Sequence, residues 1–183
     1  MTHHTDNKRI AMGIGIALAL GLAGCGSDST TDAKTAQAAM SELVSSVDTT
    51  MLAYASKQGG HGSLTVDCAS GGKADVSGHV NIVKDPLAVD VNVAIDYQSC
   101  KTVKGNTLSG SIDFVEALDK NGSEPRVAVT YNGDVELSGN INAQCAVNVS
   151  VIVDTSAKSV SVTGHACGRE ASSLSFAIQP SWK

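Results

Sequence analysis

The chain has 183 residues, of which 42 % are hydrophobic, 17 % charged and only 3 % aromatic, and its formal net charge is −5. That length suits one domain of ordinary size. An acidic balance without a basic stripe excludes nucleic acid as an expected partner, and the shortage of aromatic rings argues against a stacking platform for bases or sugars.

The N-terminus opens polar, with Lys8 and Arg9 adjoining an apolar run of 15 residues from Ile10 to Gly24. A helix needs about 20 apolar residues to cross the hydrocarbon core. A basic segment followed by a shorter apolar one reads instead as a secretory signal. The run ends in Leu22-Ala23-Gly24-Cys25, which closely resembles the lipobox of bacterial lipoproteins: Leu, small, small, Cys. The resemblance covers about the first 25 residues. It implies that residues 1–24 are a signal peptide, removed by cleavage ahead of Cys25. It further implies diacylglycerol in thioether linkage on Cys25, acylation of the new amine, and hence a membrane partner reached through lipid. One acyl chain holds a protein only marginally, whereas two or three hold it stably. Gly26 stands where an Asp would signal inner-membrane retention, so the resemblance implies the outer membrane. Residues 25–32 are small and polar after the cysteine, as suits a flexible tether.

Over residues 33–58, Ala36, Met40, Leu43, Val47, Met51 and Tyr54 recur at steps of three and four, widened by Val44 and Ala55. Lys34, Ser41, Ser45, Asp48 and Ser56 fall on the other side. This spacing predicts an amphipathic helix, with Thr31 or Asp32 as its cap and Gly59-Gly60 as its stop. A helix of this length needs a surface for its apolar stripe, and a sheet supplies one.

From Ser63 the apolar period becomes two. The runs are 76–82, 87–97, 108–114, 127–131, 135–141, 147–153, 160–166 and Leu174-Phe176-Ile178. In each, Val, Ile or Leu alternates with Asp, Asn, Ser or Thr, the signature of antiparallel strands with one face buried and one in water. Turn signals fall at Asp85-Pro86, Asn121-Gly122 and 154–158, while Asn132-Gly133 reads as either a turn or a bulge. The expected fold is therefore mainly β with one N-terminal α-helix. A single curved antiparallel meander of seven to nine strands over residues 63–180 packs on helix 33–58, all within one domain, 33–183. A closed up-and-down barrel is the alternative, and would exclude the helix from its interior.

Four short segments share one form: Val76-Ser-Gly78-His-Val80, Leu108-Ser-Gly110-Ser-Ile112, Leu137-Ser-Gly139-Asn-Ile141 and Val162-Thr-Gly164-His-Ala166. Each glycine takes the inward phase, where it marks a kink or a close approach. Gly78, Gly110, Gly139 and Gly164 are thus either a seat for the helix or a slot that admits a hydrophobic ligand such as an acyl chain. The helix already needs a seat, which favours the first.

With Cys25 assigned to lipid, Cys68, Cys100, Cys145 and Cys167 remain, and an even count in an exported chain predicts two disulfides. Placing Ile82 opposite Leu87 brings residue 69 opposite Cys100. Placing Val153 opposite Val160 brings Val147 opposite Ala166, next to Cys145 and Cys167. The expected bridges are Cys68–Cys100 and Cys145–Cys167. A metal site from His79, His165 and Cys167 is the weaker reading, because no Cys-x-x-Cys or His-x-x-x-His spacing occurs; no metal or other cofactor is expected. His61 reads as a loop residue. The chain has no Gly-x-Ser-x-Gly elbow, no His-Glu-x-x-His and no phosphate loop.

These features predict a non-catalytic lipid-anchored envelope domain, structural or protein-interacting, with an envelope protein as its partner. The alternative is a carrier or chaperone for a lipid or other hydrophobic ligand held between helix and sheet. That architecture is broadly similar to the periplasmic lipoprotein carriers, without a shared motif. A solid core of Leu43, Val47 and Met51 would favour the first, and an apolar cavity the second.

Overall fold

A computed structural model describes residues 31–174, apart from 59, 85–86, 120–125, 155–156 and 158. The signal segment, Cys25, Phe176 and Ile178 lie outside the described residues. Helix α1 (Ala33–Gln58) is followed by β1 (His61–Asp67), β2 (Lys73–Lys84), β3 (Leu87–Lys101), β4 (Thr107–Asp119), β5 (Arg126–Ser138), β6 (Ala143–Asp154), β7 (Ser159–Ala166) and β8 (Arg169–Glu170). The strands form one antiparallel sheet in chain order, β1 to β8. Among the described residues β1 pairs with β2 alone and β8 with β7 alone, so the meander is open and the closed barrel is not adopted.

Asp32 starts the helix. Its Oδ1 accepts the backbone N–H groups of Lys34 and Thr35, each at 3.0 Å, and its Oδ2 accepts the Thr35 hydroxyl at 2.6 Å. These satisfy donors that the first turn would otherwise leave orphaned. The Thr35 hydroxyl, with the backbone donors, holds the Asp32 carboxyl below its ordinary range. Arg169 Nε donates to the Thr31 carbonyl at 2.8 Å, tying the entry of the helix to β8.

The predicted stripe is the buried one. Ala36, Met40, Leu43, Val47 and Tyr54 are all at most 1 % exposed, while Met51 is half-buried. They pack against the inward phase of the strands, including Val76, Val91, Ile95, Leu108, Ile112 and Leu137. The core is therefore filled from both sides by branched aliphatic side chains, and each fully buried one contributes about 1.5–3 kcal/mol. The outward phase carries Asp75, Asp96, Asn92, Asp113, Asn132 and Asn148, all exposed.

Four expectations about the strands are corrected. The β2–β3 register is shifted by two residues: Ile82 pairs with Val89, and the strands run on to Lys84 opposite Leu87. Asn132-Gly133 is neither a turn nor a bulge, since Asn132 pairs with Asp113 on one side and Asn148 on the other in unbroken registers. Leu174 is buried but follows a 3-10 turn, Ala171–Ser173, and is not part of a strand. The sheet also begins two residues before Ser63, at His61.

Gly78 shows what the repeated glycine does. Its φ is +135°, and a Cβ would run into the Asn92 carbonyl oxygen of the neighbouring strand. Its own carbonyl oxygen, and that of Gly62, each lie 2.8 Å from the Tyr54 hydroxyl, which donates its one proton between them. Gly78→Ala is expected to cost more than about 2 kcal/mol, from a disfavoured φ plus the backbone clash. Urea denaturation measures it; a loss below about 0.5 kcal/mol would show that β2 and β3 separate easily at this point.

Candidate functional site

Both bridges are present, Cys68–Cys100 with Cα atoms 5.5 Å apart and Cys145–Cys167 with Cα atoms 3.9 Å apart. Each is reached through a local irregularity. Ser99 takes φ +52° where the β3–β4 register shifts between Tyr97 and Cys100. The β1–β2 turn folds back onto this bulge, with Ser70 N donating to Lys101 O and Lys101 N to Gly71 O. At the second bridge, Cys167 and Gly168 are the two turn residues of the β7–β8 hairpin, with φ +52° and +73°. A two-residue hairpin turn with both φ values positive is what a right-twisted ribbon prefers. Cys167 therefore sits in a turn, not on the strand face of His165, and its sulfur is committed to Cys145. This removes it from the imagined metal set. His79 pairs with Asp90 at 3.1 Å and His165 with Glu170 at 2.8 Å, both at the outer surface. Among the described residues no three metal-ligating side chains converge.

The four repeat glycines do not line one slot. Gly78, Gly110 and Gly164 press against the neighbouring strand's backbone, at Asn92, Asp134 and Asn148. Gly139 lies in the β5–β6 bend, next to Gly105 and Asn106, and not in the inward phase of a strand. Gly78 belongs to the seat of α1 through Tyr54.

The densest polar constellation is one that the sequence pattern did not single out. Glu42 projects from α1 and is only 2 % exposed. Burial alone would raise its carboxyl. Hydrogen bonds from Thr102 and Asn106, with the Lys104 charge, outweigh that and hold it below the ordinary range. Lys104 Nζ lies 3.0 Å from Glu42 Oε2 as an ion pair lacking hydrogen-bond alignment. Thr102 and Asn106 are themselves buried. Asn106 Oδ1 accepts the Ile141 N–H at 2.9 Å, and Asn140 Nδ2 donates to Lys104 O at 2.9 Å. Glu42 thus ties α1 to the β3–β4 turn, and Asn106 and Asn140 tie that turn to the β5–β6 turn. A small cleft of about 90 Å³ runs beside it, bounded by Ser46, Thr50, Cys68, Cys100 and Thr102.

Glu42→Gln is expected to cost about 1.5–3 kcal/mol, the worth of hydrogen bonds to a charged acceptor. The pH dependence has a definite sign. A carboxyl held low in the fold stabilises it above the unfolded value, and that contribution is lost as pH falls through the folded value. Asp48 on α1 and Glu116 on β4 behave oppositely. Burial raises Glu116, and the neighbouring Asp48 charge adds to it; Asp48, though still open to solvent, is raised by partial desolvation of its carboxyl, so its share is the smaller. Their protonation stabilises the fold as pH falls from neutrality towards the ordinary carboxylate range. Stability should therefore rise on mild acidification and then fall below the ordinary carboxylate range. In Glu42→Gln the acid-side fall should be shallower. Denaturation midpoints measured from pH 7 to pH 3 check both limbs, and a monotonic loss throughout would contradict them.

The chain matches no family model, no curated protein and no solved structure.

Proposed function

We propose that this chain is a lipid-anchored envelope domain that works by binding and does no chemistry of its own. Residues 1–24 serve as the signal peptide and Cys25 carries the lipid. Gly26 in place of Asp directs the protein to the outer membrane. Two disulfides support residence in an oxidising compartment. The observation that carries the interaction reading is the filling of the helix–sheet interior. Of the three residues that were to fill it, Leu43 and Val47 are at most 1 % exposed and Met51 is half-buried against the same core, with Met40 closing the stripe at 0 %. The apolar stripe of α1 is thereby spent on its own sheet, and the outer face of Asp, Asn and Ser is left to meet an envelope protein.

The test is photocrosslinking in the cells that make the protein. With p-benzoylphenylalanine at Asn92 or Asn132 on the outer face, a discrete heavier adduct is expected. No adduct from any outer-face position would overturn the interaction reading.

The carrier reading draws on a different observation. Val80, Leu118, Val153 and Val162 are only half-buried on the inner face. A native mass spectrum of the chain before and after organic extraction decides that reading. A releasable apolar mass is what a carrier would show.

A further inference from the structure

The two bridges differ in what surrounds them. Cys145 and Cys167 are each 2 % exposed. Cys68 is half-buried, and with Cys100 it borders the cleft of about 90 Å³ beside Glu42. That volume has room for several waters, and so for the sulfur end of a small thiol. Cys145 also borders a shallow hollow on the outer face, with Asp134 and Glu136. It takes the inward phase of β6, however, so its sulfur faces away from that hollow.

Loop-closure entropy does not separate the bridges, because spans of 32 and 22 residues differ little on a logarithmic scale. Local charge does. Lys101 follows Cys100 in the chain and borders the cleft, and a neighbouring cation favours a thiolate. Asp67, beside Cys68, has Lys73 as its cross-strand partner. Cys145 and Cys167 have no charged neighbour in the chain.

We propose that Cys68 is a site of thiol–disulfide exchange, open to a small thiol in the folded protein, while Cys145–Cys167 is closed to it. The incoming thiolate attacks Cys68 Sγ and forms a mixed disulfide there. The Cys68–Cys100 bond breaks, and its electron pair leaves on the Cys100 sulfur, which takes a proton from water. A second thiolate attacks the small-thiol sulfur of the mixed disulfide and releases Cys68 as a thiolate, which is protonated in turn. Two small thiols are oxidised to their disulfide as one bridge is reduced. Attack falls on Cys68 because Cys100 is only 5 % exposed. Opening frees the β1–β2 turn from its covalent tie to β3 and leaves the backbone bonds of Ser70 and Gly71 to Lys101. This site is independent of what the outer face docks.

The test treats the full chain, folded and oxidised, with 2-mercaptoethanol. Samples are quenched at intervals with excess N-ethylmaleimide, and the four cysteines are mapped by peptide mass spectrometry. Mercaptoethanol on Cys68 and maleimide on Cys100 are expected about tenfold or more faster than any label on Cys145 or Cys167, since a closed bridge reacts only through costly opening. In concentrated urea the two bridges should open at similar rates. Ser46→Phe, which fills the cleft from α1, should slow labelling of Cys68 and Cys100 and leave the second bridge unchanged. Equal rates for the two bridges in the folded chain overturn the proposal, because they report global unfolding alone. A mixed disulfide on Cys100 overturns it too, as does the absence of label on either bridge before the unfolding transition. An unslowed Ser46→Phe overturns the cleft as the route. The wild-type arms decide the matter even if that variant fails to fold.

Discussion

Replacing Cys68 and Cys100 together by alanine is expected to destabilise the domain by about 3–4 kcal/mol, the loop-closure entropy of a bridge this long in sequence. The bridge spans 32 residues and Cys145–Cys167 spans 22, so the second should cost slightly less. At this chain length each loss lowers the melting temperature by about 10 °C. The second bridge offers a finer test, because Cys167 takes a left-handed φ of +52°. Asparagine accepts that conformation more readily than alanine. Cys145→Ala with Cys167→Asn should therefore lose less stability than the double alanine variant. Urea denaturation separates them, and a loss under about 1 kcal/mol for either double alanine variant would show that the sheet does not depend on its bridges.

Leu43→Ala is expected to cost about 3–5 kcal/mol, from lost transfer energy plus the cavity left in a core closed on both sides. Leu43 is 1 % exposed, flanked by Met40 and Val47 on the same stripe. Leu43→Met should cost less than about 1.5 kcal/mol, since it conserves volume. Val160→Ala is the reference, because Val160 is 57 % exposed and its truncation should fall within about 0.5 kcal/mol. A Leu43→Ala loss no larger than that of Val160→Ala would mean that α1 does not close the sheet.

Most of the architecture was legible because two physical periods separate cleanly in this chain. Steps of three and four from Ala36 to Tyr54 place the helix stripe. Alternation from Val76 onward places the inward face of β2 to β7, while β1 and the two-residue β8 fall outside the runs it picked out. Export and an even count predicted two bridges and strand register chose the pairing, although the register behind the first pair was off by two. Strands β2 and β3 run to a two-residue connection, and Asp85-Pro86 gave no measure of how far the pairing continued. The Cys68–Cys100 bridge is nevertheless made, because the β1–β2 turn folds back and Ser99 bulges.

The polar constellations were harder to read. Glu42 lies on the flank of an amphipathic helix, where a carboxylate is ordinarily solvated, and only the turn of residues 102–106 buries it. Glu116 did carry a signal. Counting on by two from Phe114 puts an acidic residue in the inward phase, where an aliphatic one belongs. Asp48 was assigned to the solvent side, which its exposure bears out. The repeat glycines were legible as close approaches and not as to what they approach. At Gly78 the neighbour is both a strand and Tyr54.

The most direct test of the account is the intact mass of the protein purified from the membranes of the cells that make it. The predicted chain begins at Cys25, carries diacylglycerol on its sulfur and an acyl group on its amine, and weighs four hydrogens less than its reduced form. A chain that begins at any other residue, or that bears no lipid, would contradict the anchor. A mass that rises by four on alkylation-free reduction supports both bridges, and an unchanged mass would contradict them.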